Sequence, residues 1–209
     1  MKYIWIILIT LFFLSGCTNK EKSAILESNE FALGDKIEIT SVQGATFTFT
    51  RVEGGIVQEG KEDNVIIFDI FGTFCEPCKK EAPALMNLQL KYLDNVTLVG
   101  LSYFEDVDEK YIIENFSKPY NAHYFIAKNS DKNKILVDAI TKDIGYPNLI
   151  SLPFKVVLKG GKYQNVTDVW ENKDGVKYYI GGINTSVIEK DLDTILKVKQ
   201  VRQWHIKRI

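Results

Sequence analysis

Apolar positions along this chain change period several times, and the changes mark out its elements. Tyr3 to Leu14 is one mostly apolar run behind Lys2, too short to span a bilayer. From Lys36 the texture alternates, with Ile37 and Ile39, then Phe47 and Phe49, on either side of Gln43-Gly44. A period of two around a turn predicts a β-hairpin. Glu53-Gly54-Gly55 and the stretch from Glu59 to Asp63 read as loops. Val65 to Phe71 is apolar except for Asp69, the pattern of a strand covered on both faces. A helical pattern then runs to about Leu93. Val96 to Leu101 predicts a second buried strand, Asp106 to Phe116 a helix, Ala122 to Ala127 a strand and Lys132 to Ile144 a helix. Phe154 to Leu158 predicts another strand, turning at Lys159-Gly160-Gly161-Lys162. A later hairpin carries Val166, Val169 and Trp170, turns at Lys173-Asp174-Gly175 and returns through Val176 to Ile180. Trp170, Tyr178 and Tyr179 are expected to pack there. After Gly181-Gly182, Ile188, Leu192, Ile195 and Leu196 recur at helical spacing between Asn184 and Gln200. The strand-helix-strand opening and hairpin-helix ending predict an α/β sheet with helices on both faces.

The N-terminal run has the make-up of a secretory signal: one positive charge, an apolar stretch, then small residues. Leu14-Ser15-Gly16-Cys17 resembles a bacterial lipobox, which implies that Cys17 is lipidated and opens the mature chain. The expected organisation is a signal peptide over 1–16, a lipid anchor and polar tether over 17–35, a folded domain over 36–200 and a basic tail over 201–209. The expected location is the periplasm or the outer face of the cell membrane, where disulfide chemistry is permitted. Composition adds exclusions. With 45% apolar residues in 209, the chain can bury one sizeable core. A net charge of −1 lacks the basic excess of a nucleic-acid binder. Three cysteines and two histidines cannot supply a four-cysteine zinc site, so neither a metal nor a cofactor is expected.

The chemistry rests on Cys75-Glu76-Pro77-Cys78, placed straight after a buried strand and at the mouth of a helix. A cysteine at the N-cap faces the unpaired N–H groups of the first turn and the positive end of the helix dipole. Pro77 has no N–H, which leaves that of Cys78 as the natural donor to the Cys75 sulfur. Both effects favour the thiolate, the form that attacks disulfides. Cys78 lies one turn further in and suits the resolving role. A purely structural disulfide would close too short a loop to save much chain entropy. Asp69, inside its apolar strand, could accept the Cys78 proton during resolution. Glu81, one turn beyond Cys78, is the other candidate base. Glu76 lies between the cysteines, where its charge should repel a Cys75 thiolate and make the couple more reducing.

The segment from Phe68 to Pro83, with Cys-Glu-Pro-Cys-Lys-Lys-Glu at its centre, closely resembles the active-site segment of thioredoxin-like proteins. It is most similar to their membrane-tethered, extracytoplasmic TlpA/ResA branch, and the resemblance extends from about Lys36 to Leu196. It implies a thioredoxin-like fold, with a central mixed sheet flanked by helices and an N-terminal β-hairpin extension. It implies a thiol:disulfide oxidoreductase that reduces disulfides in exported proteins, including apocytochromes c, with a membrane thiol reductase as electron donor. Pro153 takes the place of the family's cis-proline, and Leu152 that of the residue whose backbone meets substrate. Pro147 is the rival, but no strand follows it directly. Asp69 and Glu81 both match acids assigned to the resolving cysteine. Phe74 stands where the family has Trp, so an aromatic face remains beside the thiol without the indole N–H. Two other readings are a redox-inert binding or copper-handling scaffold on the same fold, and an oxidase that introduces disulfides.

Overall fold

The computed structural model describes residues 30–206 apart from Asn172. The signal segment, Cys17 and the tail residues Lys207 and Arg208 lie outside the described residues. Among the described residues, no helix is long and apolar enough to cross a membrane.

Three antiparallel strands come first: β1 (Lys36–Thr40), β2 (Thr46–Val52) and β3 (Gly55–Gln58). The expected hairpin is therefore present but carries a third strand. Glycine made β3 look like loop. Gly54 supplies a positive φ of 88° for the turn, and a Cβ on Gly55 would lie 2.5 Å from the Gly161 carbonyl oxygen. Gly55 marks a close approach of two backbones inside a strand.

The main sheet contains β4 (Val65–Phe71), β5 (Val96–Ser102), β6 (Phe125–Ile126), β7 (Phe154–Lys159) and β11 (Tyr179–Ile180), in the order β11-β7-β4-β5-β6, with β8 (Lys162–Tyr163) beside β7. β4 pairs parallel with β5 and antiparallel with β7, so the sheet is mixed as expected. The helices are α1 (Glu76–Lys91), α2 (Glu109–Ile112), α3 (Asp131–Asp143) and α4 (Thr185–Ile206).

Strand parity divides the core. Val65, Ile67 and Phe71 of β4 pack with Cys78, Leu85 and Leu88 of α1 and with Ile188 and Leu192 of α4. Ile66, Phe68 and Ile70 point the other way, toward Leu136 and Ile140 of α3 and Phe49 and Ile56 of the N-terminal sheet. Each such side chain contributes roughly 1.5–3 kcal/mol by leaving water. Asp69 has the parity of Ile67 and Phe71, and Lys155 has that of Val157, so both charges enter the cysteine-side layer.

Several expected elements differ in extent; α4, for one, runs past the expected Gln200 to Ile206. The helix after β5 begins only at Glu109, where Asp108 caps the Tyr111 N–H at 2.7 Å, and it continues as a π-helical turn over Ile113–Ser117. The strand expected over 122–127 shortens to Phe125–Ile126. In the late hairpin, β9 (Val166–Asp168) pairs with β10 (Lys173–Val176), so the turn lies before Lys173 rather than at Lys173-Asp174-Gly175. Gly175 (φ 113°) instead serves an irregularity in the pairing. Asp168 makes the turn: its Oδ1 accepts from the N–H groups of Trp170 and Glu171 at 2.9 and 3.3 Å. Tyr179 packs as expected. Trp170 does not; it is 72% exposed.

Candidate functional site

The chain leaves β4 through Gly72-Thr73-Phe74 and closes a turn in which the Cys75 N–H donates to the Gly72 carbonyl at 3.0 Å. Cys75 then caps α1 with extended dihedrals (φ −81°, ψ 104°), and its Sγ accepts from the Cys78 N–H at 3.3 Å. This is the N-cap geometry expected from Pro77. Cys75 is 7% exposed and Cys78 2%, so the first cysteine is the less buried residue of the two. The pair is joined as a disulfide, with Cα atoms 5.3 Å apart.

The turn is braced from β5's side of the sheet. Glu105 accepts from the backbone N–H of Thr73 at 2.8 Å and from its hydroxyl at 2.5 Å. Phe74 is 58% exposed, and its ring lies over Gly72, where a Cβ would sit 2.6 Å from it. The Leu152-Pro153 peptide bond is cis, and the Pro153 carbonyl accepts from the Gly181 N–H at 2.9 Å. Gly182 faces Pro77: a Cβ there would lie 3.7 Å from the proline Cβ. Pro153 and Pro77 therefore flank the same Gly181-Gly182 segment. Glu76 is mostly exposed and pairs with Lys79 at 2.6 Å, which holds its carboxyl below the usual range. That contact offsets the repulsion expected between Glu76 and a Cys75 thiolate.

Behind the cysteines lie three buried charges. Lys155, wholly inaccessible, forms a short ion pair with Glu81 and a 3.3 Å pair with Asp69. Asp69 also accepts from the Tyr124 hydroxyl at 3.2 Å, and Glu81 from the Ile183 N–H at 3.2 Å. The two acids expected as alternatives thus share one cation. Burial alone would lower Lys155, but Asp69 and Glu81 outweigh it and hold it above its ordinary value. Burial pushes Glu81 up; Lys155 pulls it back and Asp69 pushes it up again, leaving it at about 7. Burial, and then Asp69, raise Tyr124 well above the phenol range. A carboxyl that titrates near neutrality one helical turn from Cys78 can take up or release a proton as the cysteine pair opens and closes.

No protein-family model matches the chain. Among solved structures, it is similar to a thiol:disulfide interchange protein of the thioredoxin family from Chlorobium tepidum TLS. The TM-score is 0.53 at 16% identity, over 78% of this chain and 94% of that one. That likeness concerns the fold alone. In sequence, the chain is 29% identical over 136 residues to the thiol-disulfide oxidoreductase ResA of Bacillus cereus strain ZK / E33L, covering 63% of this chain and 70% of the relative. It is 30% identical over 100 residues to ResA of Bacillus cereus strain ATCC 10987 / NRS 248, covering 46% of this chain and 55% of the relative, about half that protein's length. The chain has the thioredoxin-like fold. It is a thiol:disulfide oxidoreductase whose curated relatives are of the ResA type.

For this thioredoxin-like chain, sequence reasoning placed Cys75, Cys78, Asp69, Glu81, Phe74, Leu152 and Pro153, and the structure brings both acids and the cysteines into one layer. It missed Lys155, Glu105 and Tyr124. Lys155 carried a signal: a lysine within Phe154-Lys155-Val156-Val157-Leu158 has no water to face and needs a carboxylate. Glu105 and Tyr124 carried none, since each acts across a loop or strand junction that only the fold defines.

Proposed function

We propose that the protein is an extracytoplasmic, lipid-anchored reductant of disulfides in exported proteins, apocytochromes c among them. Cys75 at the N-cap, with Cys78 and a neutral-range acid behind it, is the observation that carries this reading. The Cys75 thiolate attacks one sulfur of a substrate disulfide, forming a mixed disulfide as the other substrate sulfur leaves with a proton from solvent. Glu81, with Asp69 sharing the same cation, takes the Cys78 proton. The Cys78 thiolate then attacks the Cys75 Sγ, the bond to substrate breaks, and the second substrate thiolate departs and is protonated. Two electrons have passed to the substrate, and the Cys75–Cys78 disulfide remains for a membrane thiol reductase to reduce. Phe74 and the backbone at Leu152-Pro153 receive the substrate chain. Cys17 provides the membrane anchor.

The direction follows from charge. Two carboxylates behind Cys78 disfavour its thiolate, which destabilises the dithiol form and makes the couple more reducing. Equilibration of the Cys75–Cys78 couple against defined thiol/disulfide buffers tests this. The potential should lie nearer the ~−270 mV of a reducing thioredoxin than the ~−120 mV of a strong oxidant. In the reduced protein, iodoacetamide should label Cys75 before Cys78. A potential at the oxidising end, or preferential labelling of Cys78, defeats the mechanism.

A further inference from the structure

Trp170 is held in place yet left in water. Its backbone N–H is fixed by Asp168, and its indole N–H donates to the Ile180 carbonyl at 3.2 Å. With its polar handle satisfied, a tryptophan ordinarily buries its rings, because the apolar area gains by leaving water. This one belongs to neither core layer and remains 72% exposed. Its position is specific. A Cβ on Gly181 would lie 3.3 Å from the indole Cζ2, so the ring rests against the backbone of Gly181. That same residue donates to Pro153, and the next, Gly182, faces Pro77 between the two cysteines. Trp170 is therefore continuous, through two glycines without side chains, with both prolines of the redox centre. Beside it, Trp170, Val176, Tyr178, Tyr179 and Ile180 help line a groove of about 210 Å³. The ring reaches this place on the hairpin of β9 and β10, inserted between β8 and β11.

We infer that Trp170 and its groove form a docking surface for the polypeptide that carries the disulfide, gripping an apolar or aromatic side chain a few residues from the attacked cysteine. The occupant follows from continuity: a chain that presents its sulfur to Cys75 beside Pro153 leaves across Gly181, and Trp170 is the next surface it meets. A glycine pair between the redox centre and the ring keeps that path open to backbone. This inference rests on the proposed exchange activity and adds how the site selects among disulfides. A small disulfide reaches the sulfurs without touching the ring; a peptide disulfide touches both.

The test compares wild type, Trp170→Ala and Trp170→Phe on two substrates: bis(2-hydroxyethyl) disulfide, and a synthetic peptide disulfide with Leu near one cysteine, alongside the same peptide with Ser in its place. For the Leu peptide, Trp170→Ala should lower kcat/KM about tenfold, the ~1.4 kcal/mol that one aromatic contact can supply, acting mainly through KM. Trp170→Phe should recover most of that loss. The Ser peptide should react more slowly with wild type and lose little more in the alanine variant. Equal rates for wild type and Trp170→Ala on the Leu peptide overturn the inference. So does a loss that is the same on the small disulfide, which would mark a structural role. Failure of wild type to turn over even the small disulfide overturns the exchange reading, and this inference with it.

Discussion

Replacing Lys155 by Met removes a buried charge while keeping a flexible side chain of similar length, so its effect isolates electrostatics. In the wild-type protein, burial and Asp69 raise Glu81 from 4.5 to about 7 against the pull of Lys155. A raised carboxyl favours folding in its neutral form. Its contribution is fully present below about pH 4.5 and is lost as pH climbs through about 7, a change of about 3 kcal/mol. Above that range the wild-type curve levels off. Met at 155 deletes two of the three influences that lower Glu81, the attraction and the hydrogen bond from the ammonium, and leaves only the Ile183 N–H. Glu81 then titrates above 7, and stability keeps falling by ~1.4 kcal/mol for each further pH unit until the new value is passed. Breaking a buried ion pair from one side typically costs ~3–5 kcal/mol, which sets the loss expected at pH 8 to 9. At pH 5 a carboxyl of ordinary value 4.5 takes up a proton for under ~1 kcal/mol, so the loss there should shrink to the ~1.5 kcal/mol of an imperfect packing swap.

Urea denaturation of the oxidised protein between pH 5 and 9 measures this, because with the disulfide closed neither Cys75 nor Cys78 titrates. The other acid on Lys155 is Asp69; Tyr124 donates to Asp69, Tyr179 is the strand partner of Lys155 with its hydroxyl on Asp191, and both phenols are raised far beyond the range scanned. Adding Glu81→Gln to Lys155→Met should flatten the alkaline decline, and a double-mutant cycle should return a coupling of a few kcal/mol. A loss independent of pH would show that Lys155 acts through packing, and the charge argument would fall.

Glu105→Gln keeps one acceptor for Thr73 and loses the other, which should lower stability by about 1–3 kcal/mol in urea denaturation and broaden the reactivity of Cys75 toward iodoacetamide. Glu76→Gln should move the potential by less than ~30 mV, since Lys79 already compensates the charge; a larger shift toward reducing values would mean that the repulsion has been assigned the wrong sign. Cys17→Ser should release the processed protein from the membrane fraction, and retention there would rule out lipid anchoring through that cysteine.

What the sequence disclosed depended on whether a signal was local. Cys75, Pro77 and Cys78 act within one turn of helix, so their spacing sufficed to place the N-cap and its donor. Pro153 was legible because a strand opens immediately after it. Trp170 was misjudged because aromatic hairpin residues usually pack. Its exposure depends on the turn lying before Lys173, which the Gly175 irregularity disguised. The charged cluster was legible only in halves. Asp69 stood out as an acid in an apolar strand, and Lys155 was a base in another, yet neither strand states its neighbour. Register supplies the link: Asp69 lies opposite Lys155 across β4 and β7, and partners in that position point to the same face.

That link also shows why Glu81 belongs with them. Cys78, Ala82, Leu85 and Leu88 form the buried stripe of α1, and Glu81 occupies a place on it, after Lys79 and Lys80 and before Pro83 in sequence. A carboxylate on that stripe needs a cation, and one lone lysine in a strand of the facing sheet can serve it only by sharing with Asp69. Two acids and one base leave the buried cluster one negative charge in excess when fully ionised. It therefore takes up a proton more readily than a balanced pair would, and burial places that event near neutrality at Glu81. A balanced pair would have been a structural brace. In the proposed mechanism the odd acid makes the cluster a proton store, one helical turn from Cys78, whose proton it would take.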